Sequence, residues 1–521
     1  MTKHKTLHLF WAAFPLCLLI LLLQVMPALA QRAAGKPDSI TTWSFGPNLP
    51  ITNVRAVGVF FPANGRFYAV GGRSSDAFGS DATNPFEYNP TTNTWTTKAA
   101  IFPDAHVNNM ACGVLTVSGT PQIYCVGGSQ ATLVDAFGRV FSYNPVTDTL
   151  TTLTAADDWP GAAGTILPGG FAVVNNKLYI LGGFNINVGS TNQIWEFDPT
   201  AAVGSKWTQA PVNTPEGIMY APTCAIGGII YVAGASDFSG GLVIDTTNSF
   251  SFNPVANTIG TIAPIPRATG ETRALNVYGQ MWVMGGGRVA PNPSNEVDIY
   301  NPYCNTWTTG ARFVNPRRNF PTDTDGVSRV WLAGGYVNAV ADMTMEIDAF
   351  PMAVSAVSRK VHGAAGTFDV PLPLNGPTGI ECRSGGATND YQMIINFATS
   401  VTAGSASVTC GTGSVGSFTG NGTATITVNL TGVTNVQRIT VTLASVSDGT
   451  NTGDVPISMG VLIGDTTANG TVNSGDVSQT KSQSGQPVTG SNFREDVNAS
   501  GTISSTDVAI VKSKVGTALP P

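Results

Sequence analysis

The sequence predicts a mainly β chain: a six-bladed propeller, then a small β-sandwich, then a small α-helical module built on two repeated loops. Three observations carry this. A strand–glycine pair–strand unit occurs six times within residues 41–350. Over 366–460 apolar residues alternate with Thr and other polar residues. A twelve-residue loop rich in side-chain oxygen occurs at 465–476 and again at 496–507. Composition agrees: with 59 glycines, 33 prolines and only 11% charged residues, short strands and turns are favoured over long helices.

Residues 1–30 read as a targeting segment. Lys3 and Lys5 precede an apolar run from Leu9 to Leu23, interrupted by Pro15, and Ala28-Leu29-Ala30 is a small-x-small cleavage site. The run is short for a membrane span. We expect export and cleavage near Gln31, leaving no transmembrane anchor. Removing residues 1–30 moves the formal charge from −6 to −8. That argues against nucleic acid, because a phosphate binder needs a basic footprint.

The first clean repeat runs from Arg66 to Trp95. Arg66-Phe67-Tyr68-Ala69-Val70 ends in Gly71-Gly72, and a polar loop leads to Phe86-Glu87-Tyr88-Asn89-Pro90, with Trp95 on the next strand. The first glycine recurs at Gly127, Gly182, Gly234, Gly285 and Gly334, in steps of 56, 55, 52, 51 and 49 residues. Such a period marks a propeller or solenoid, and units made only of strands favour the propeller. Asn144-Pro145, Asp198-Pro199, Asn253-Pro254 and Asn301-Pro302 repeat the hairpin turn. Proline presets φ there and the short side chain bonds the backbone ahead. The sixth unit lacks a following Trp strand; Thr41-Thr42-Trp43-Ser44-Phe45 can supply it, closing the ring and removing exposed edges.

These units resemble the kelch repeat family over roughly 41–350. The resemblance implies four-stranded blades around an axis. Loops entering the inner strands carry Arg55, His106, Asp158, Glu216, Arg267, Glu271, Arg273, Arg317 and Arg318. Converging on the axis, they would form a mixed basic and acidic mouth suited to an anionic or sugar ligand. Some kelch propellers are copper oxidases, but only His106 lies in this propeller, which argues against such a site. A sialic-acid epimerase-like kelch enzyme is the second enzymatic option. Trp95, Trp207 and Trp307 sit at a fixed repeat position and read as blade packing.

Six cysteines follow the leader: Cys112, Cys125, Cys224, Cys304, Cys382 and Cys410. Cys382 with Cys410 would close a loop inside one small domain, and Cys112 and Cys125 flank a tight Ser118-Gly119 turn. Buried free thiols are the other reading for all six. Residues 351–365, small and polar with Arg359-Lys360, suit a linker. The strands at 424–430 and 438–443 then anchor a sandwich over 366–460, which reads either as a binding module for carbohydrate or protein, or as a spacer.

The two terminal loops place oxygen-bearing side chains at positions 1, 3, 5, 9 and 12 and glycine at 6. The first offers Asp465, Thr467, Asn469, Thr471 through its carbonyl, Asn473 and Asp476. The second offers Asp496, Asn498, Ser500, Thr502 through its carbonyl, Ser504 and Asp507. That spacing wraps a hard cation such as Ca2+, so two sites are expected. With Asp rather than Glu at position 12, the segment 464–516 looks like a type I dockerin module. The resemblance implies calcium-dependent docking to a cohesin domain, with contact positions at Ser474, Gly475 and Lys481, and at Ser505, Thr506 and Lys512. Thr467 and Ser500 replace the usual Asn or Asp, leaving two carboxylates per loop.

The leading reading is an exported binding protein with a propeller for glycan or protein, tethered through the calcium module. The alternatives are an extracellular carbohydrate-active enzyme with its site at the propeller mouth, and a structural cell-surface protein.

Overall fold

Six four-stranded antiparallel sheets follow one another along the chain, each a blade. The computed structural model describes residues 42–132, 135–162, 166–185, 189–239, 242–287 and 293–520; the leader read at 1–30 lies outside them. In blade 1 the strands are Val57–Phe61, Arg66–Val70, Phe86–Asn89 and Thr94–Thr97, hydrogen-bonded in chain order. Blades 2 to 5 repeat this order, starting at Ala111, Ile166, Thr223 and Ala274. Blade 6 has Thr322–Thr324, Arg329–Ala333 and Met345–Ala349, with Ser44–Phe45 as its outermost strand. The N-terminal strand closes the ring.

The glycine pairs are where blades touch. Gly71 and Gly334 have φ of 74° and 62°, and a Cβ on either would lie 2.3 Å from a loop carbonyl of the next blade, Val107 or Asn53. The second glycine turns that proximity into a bond: Gly72 donates to the Val107 carbonyl, Gly183 to Ile218, Gly286 to Arg317 and Gly335 to Asn53. The glycines do not always end the strand. In blades 3 and 4 the pairing shifts register beside Gly182 and Gly234, and the strands continue to Asn185 and Ser239.

The outer-strand tryptophans are anchors. The indole N–H of Trp95 donates to Pro47 O, Trp207 to Asp157 O and Trp307 to Ala263 O, at 2.8–3.0 Å. Trp43 donates to Ala311 O at 3.0 Å and packs edge-on against Phe313. It does for blade 6 what the others do for theirs.

The stretch expected as a linker is a strand. Ala353–Val361 pairs with Thr367–Pro371 on one side and Tyr391–Val401 on the other, inside a five-stranded sheet. Its small side chains hid it: Ala353 and Ala356 fill the core because larger neighbours such as Met393 and Phe397 supply the bulk. The facing sheet runs Ile380–Glu381, Thr452–Val461, Gln437–Ser447, Ser405–Cys410. Ile380–Glu381 and Ser405–Cys410 are its opposite edges, roughly 14 Å apart at the usual strand spacing. Cys382 therefore cannot reach Cys410. Cys410 instead bridges to Cys304 of blade 5, while Cys382 is a buried thiol, as is Cys224. Cys112 and Cys125 face each other in register and are bridged. One apolar core runs on from Trp43, Tyr278 and Phe350 of the propeller into the sandwich.

Two helices end the chain, α1 (Ser474–Gln483) and α2 (Ser505–Lys514). Their shared core of Leu462, Val472, Val497 and Val511 includes Ile380 of the sandwich.

Candidate functional sites: the propeller mouth and the paired loops

A ring of backbone hydrogen bonds, open among the described residues between Asn109 and Gly169, links the inner ends of the blades. Ala221 N–H donates to Gly169 O, Glu271 to Tyr220 O, Asn319 to Glu271 O, Arg55 to Asn319 O and Asn109 to Arg55 O. Arg55, Asn109, Tyr220, Glu271 and Asn319 all hold a left-handed φ of 50° to 63°. Such residues cost about 1–2 kcal/mol each. These bonds hold them there, which places Arg55, Tyr220 and Glu271 near one another.

Three of the nine expected mouth residues meet at this ring. Arg55 Nη1 donates to Tyr220 Oη at 2.9 Å, and Arg318 Nη1 to Glu271 Oε2 at 2.6 Å. Both guanidinium groups lie over the Tyr336 ring, at 5.8 and 4.7 Å from its centre. Arg73, which sequence reasoning missed, donates to Tyr336 Oη at 3.2 Å and pairs with Asp76. The Nε atoms of Arg55 and Arg73 are buried without a hydrogen-bond partner. The mouth thus joins three arginines to two tyrosines and two carboxylates.

Arg273 points elsewhere. It runs down the channel to donate to Gly58 O at 2.9 Å, with its guanidinium 4.2 Å from the centre of the Phe171 ring. Burial pulls Arg273 down and pushes the Asp323 carboxyl up, and each charge partly offsets the other's shift.

The remaining five stand apart from this cluster. Arg317 is fully buried on Glu346 at 2.7 Å and on the carbonyls of Gly334 and Thr344. Arg267 pairs with Asp298 at 2.7 Å. His106 stacks on Phe137 between Asp104 and Asp135, and Arg139 holds Asp104 from behind. Glu216 accepts from Asn248. Asp158 follows a short 3-10 turn, and burial pushes its carboxyl up.

In the terminal loops the ligand positions double as helix caps. Asn473 is the N-cap of α1 and Asp476 its third residue, each side chain accepting from the other's backbone end in a capping box; Ser504 and Asp507 do the same for α2. Asp465, Asp476, Asp496 and Asp507 are all fully buried. Thr467 Oγ1 reaches both carboxylates of the first loop, Asp476 at 2.9 Å and Asp465 at 3.4 Å. Burial and the Asp476 charge push the Asp465 carboxyl up, although the Gly470 and Asn469 N–H groups pull it down. The Arg494 charge offsets only part of this, and two buried carboxylates reached by one hydroxyl suit a cation between them, with amide, hydroxyl and carbonyl oxygens completing its shell. The six expected contact residues, Ser474, Gly475, Lys481, Ser505, Thr506 and Lys512, are all exposed on α1 and α2.

Residues 168–211 and 270–313, spanning blades 3 and 5, match the Kelch motif, and 463–516 match the Dockerin type I domain. The chain thus carries kelch repeats and a C-terminal dockerin type I domain, a type that in general binds calcium. Among solved structures, one described as a structure of YjhT is 17% identical, with 58% of this chain and 95% of that chain covered at a TM-score of 0.45. No curated protein matches. No helix among the described residues is long and apolar enough to cross a membrane.

Proposed function

We propose that this chain is an exported binding protein whose propeller mouth recognises an anionic glycan or protein ligand, and whose terminal module, holding two Ca2+ ions, docks it to a cohesin-like domain. One observation carries the first half. Arg55, Arg73 and Arg318 converge on Tyr336, and two of them keep a buried N–H with no partner. Buried donors left unpaired are costly, and an anionic oxygen would satisfy them. Tyr220, only partly buried, adds a flat, half-polar surface suited to a sugar face. The second half is supported by the buried carboxylate pairs and by the exposure of the contact positions on both helices.

The test is binding of the full chain from Gln31 to a panel of acidic and neutral glycans. Arg55→Ala and Arg318→Ala should each weaken an acidic ligand about 10- to 100-fold, since a charged hydrogen bond is worth ~1.5–3 kcal/mol. Unchanged binding in the double variant would remove the mouth from the reading. A new sugar product in the wild-type reaction would move the reading to a carbohydrate-active enzyme. For the tail, capture on an immobilised cohesin domain should need calcium and should be lost in Lys481→Glu/Lys512→Glu. Capture that survives both chelator and variant would overturn the docking assignment.

A further inference from the structure

The two terminal loops are not equivalent, and the difference lies in the sandwich. In the first loop, the Asp465 carboxylate meets donors of its own loop only, the N–H groups of Asn469 and Gly470 and the Thr467 hydroxyl. Arg494 comes close but donates to the Asp465 carbonyl, at 2.8 Å. In the second loop, Asp496 has an outside partner. His362, at the end of the sandwich strand Ala353–Val361, places Nδ1 2.8 Å from Asp496 Oδ2, and both residues are fully buried.

The tautomer follows from the network. Arg383 Nη1 lies 3.0 Å from His362 Nε2, and a guanidinium only donates. Nε2 must therefore accept, which leaves the proton on Nδ1 and makes His362 a donor to Asp496. Arg383 is itself fixed by Glu381, through Nε at 2.8 Å and Nη2 at 2.7 Å. A rigid chain Glu381–Arg383–His362 thus ends on the first ligand position of the second loop. The backbones interlock around it. Ser384 N–H donates to Val497 O at 2.7 Å, and a Cβ on Gly363 would lie 2.3 Å from Ser500 O. Phe493 stacks on Phe368 with ring centres 5.4 Å apart.

We infer that the β-sandwich completes the second calcium loop: His362 is a positioning residue that orients Asp496, so that calcium taken up there locks the terminal module onto the sandwich. The inference rests on reading 496–507 as a calcium loop. His362 binds Asp496 through Oδ2. Oδ1, which meets only Ser500, keeps lone pairs for the ion. Partners that orient a ligating group typically contribute 10- to 100-fold in metal affinity.

The experiment is calcium titration of the full, calcium-stripped chain by calorimetry. The wild type should take up two ions. His362→Gln, long enough to accept from Arg383 but lacking the Nδ1 donor, should weaken one ion about 10- to 100-fold and leave the other unchanged. His362→Asn, whose amide N–H occupies the place of Nδ1–H, should recover most of the loss, which a merely space-filling role would not produce. Hydrogen exchange on the wild type gives a second readout that needs no variant. Chelation should speed exchange at 358–366 and at Ser384 as well as in the loops. Two unchanged affinities in His362→Gln, equal losses in the Gln and Asn variants, or exchange confined to 463–516 would each overturn the coupling while leaving the calcium loops standing. A wild type that binds no calcium would overturn the loops and the coupling together.

Discussion

Arg317 and Arg318 are neighbours in sequence with opposite fates. Arg318 reaches the mouth, whereas Arg317 is sealed inside blade 6 against Glu346. One residue's step along the chain reverses the direction of the side chain, and no sequence pattern here says which of the two turns inward. Arg317→Ala would strand a buried carboxylate with two backbone N–H partners, Val314 and Asn315. We expect a loss of about 3–5 kcal/mol, read from the urea midpoint. Asp348 carries a pH dependence. It is buried with one oxygen unpartnered, and burial pushes its carboxyl from 3.8 up to about 7. The folded state thus holds the proton more tightly than the unfolded chain. Stability is full below pH 4 and falls as pH rises towards 7, by about 4 kcal/mol. Asp348→Asn should flatten that slope, raising the melting temperature at pH 8 while changing little at pH 4. The mouth was legible only in part. Arg55, Glu271 and Arg318 stand out as charges in the entry loops, but Tyr220 and Tyr336 look like ordinary core aromatics. Their placement depends on a left-handed φ at Tyr220 and on the two-residue strand Tyr336–Val337 that follows Gly335, neither of which a residue type announces.

At the scale of elements, the repeat was readable because one physical demand recurs in five of the six blades. The first glycine of the pair must admit a carbonyl from the next blade, and only a residue without Cβ can; in blade 2, Gly127 faces the Pro168 side chain instead. Gly334→Ala meets both a positive φ and the Asn53 carbonyl, whereas Gly65→Ala meets a positive φ with nothing within 4 Å. Denaturation should separate the two, with Gly65→Ala costing about 1 kcal/mol and Gly334→Ala about 2–4 kcal/mol. The closing strand was readable for the same reason, since blade 6 lacked a Trp strand and Trp43 lay ahead of blade 1. Trp43→Ala should cost about 3–5 kcal/mol and expose Phe313, which intrinsic fluorescence and thermal melts would report. The strand Ala353–Val361 was not readable, because its inward positions are alanine and serine and its pattern therefore lacks contrast. A strand can be defined by the bulk of its neighbours as well as by its own.

For the whole molecule, the decisive bond is the one between parts. Cys304 and Cys410 are 106 residues apart and join blade 5 to an edge of the sandwich. A loop of that length corresponds to about 4–5 kcal/mol of chain entropy. Cys304→Ser/Cys410→Ser should lower the melting temperature by several degrees in calorimetry. It should still not free the sandwich to proteolysis, because the apolar core from Tyr278 and Phe350 to Val446 and Val455 persists. The sandwich in turn seats the terminal module through Arg494, Ser384 and His362. From mouth to tail the chain therefore has no slack. A cargo on a loose leash searches a sphere around its anchor, and its local concentration falls as the leash lengthens. This one keeps a heading. Held by α1 or α2, each copy would point its mouth along a direction set at the anchor. Neighbours held through the same helix on a common support would then face the same way, like teeth on a comb.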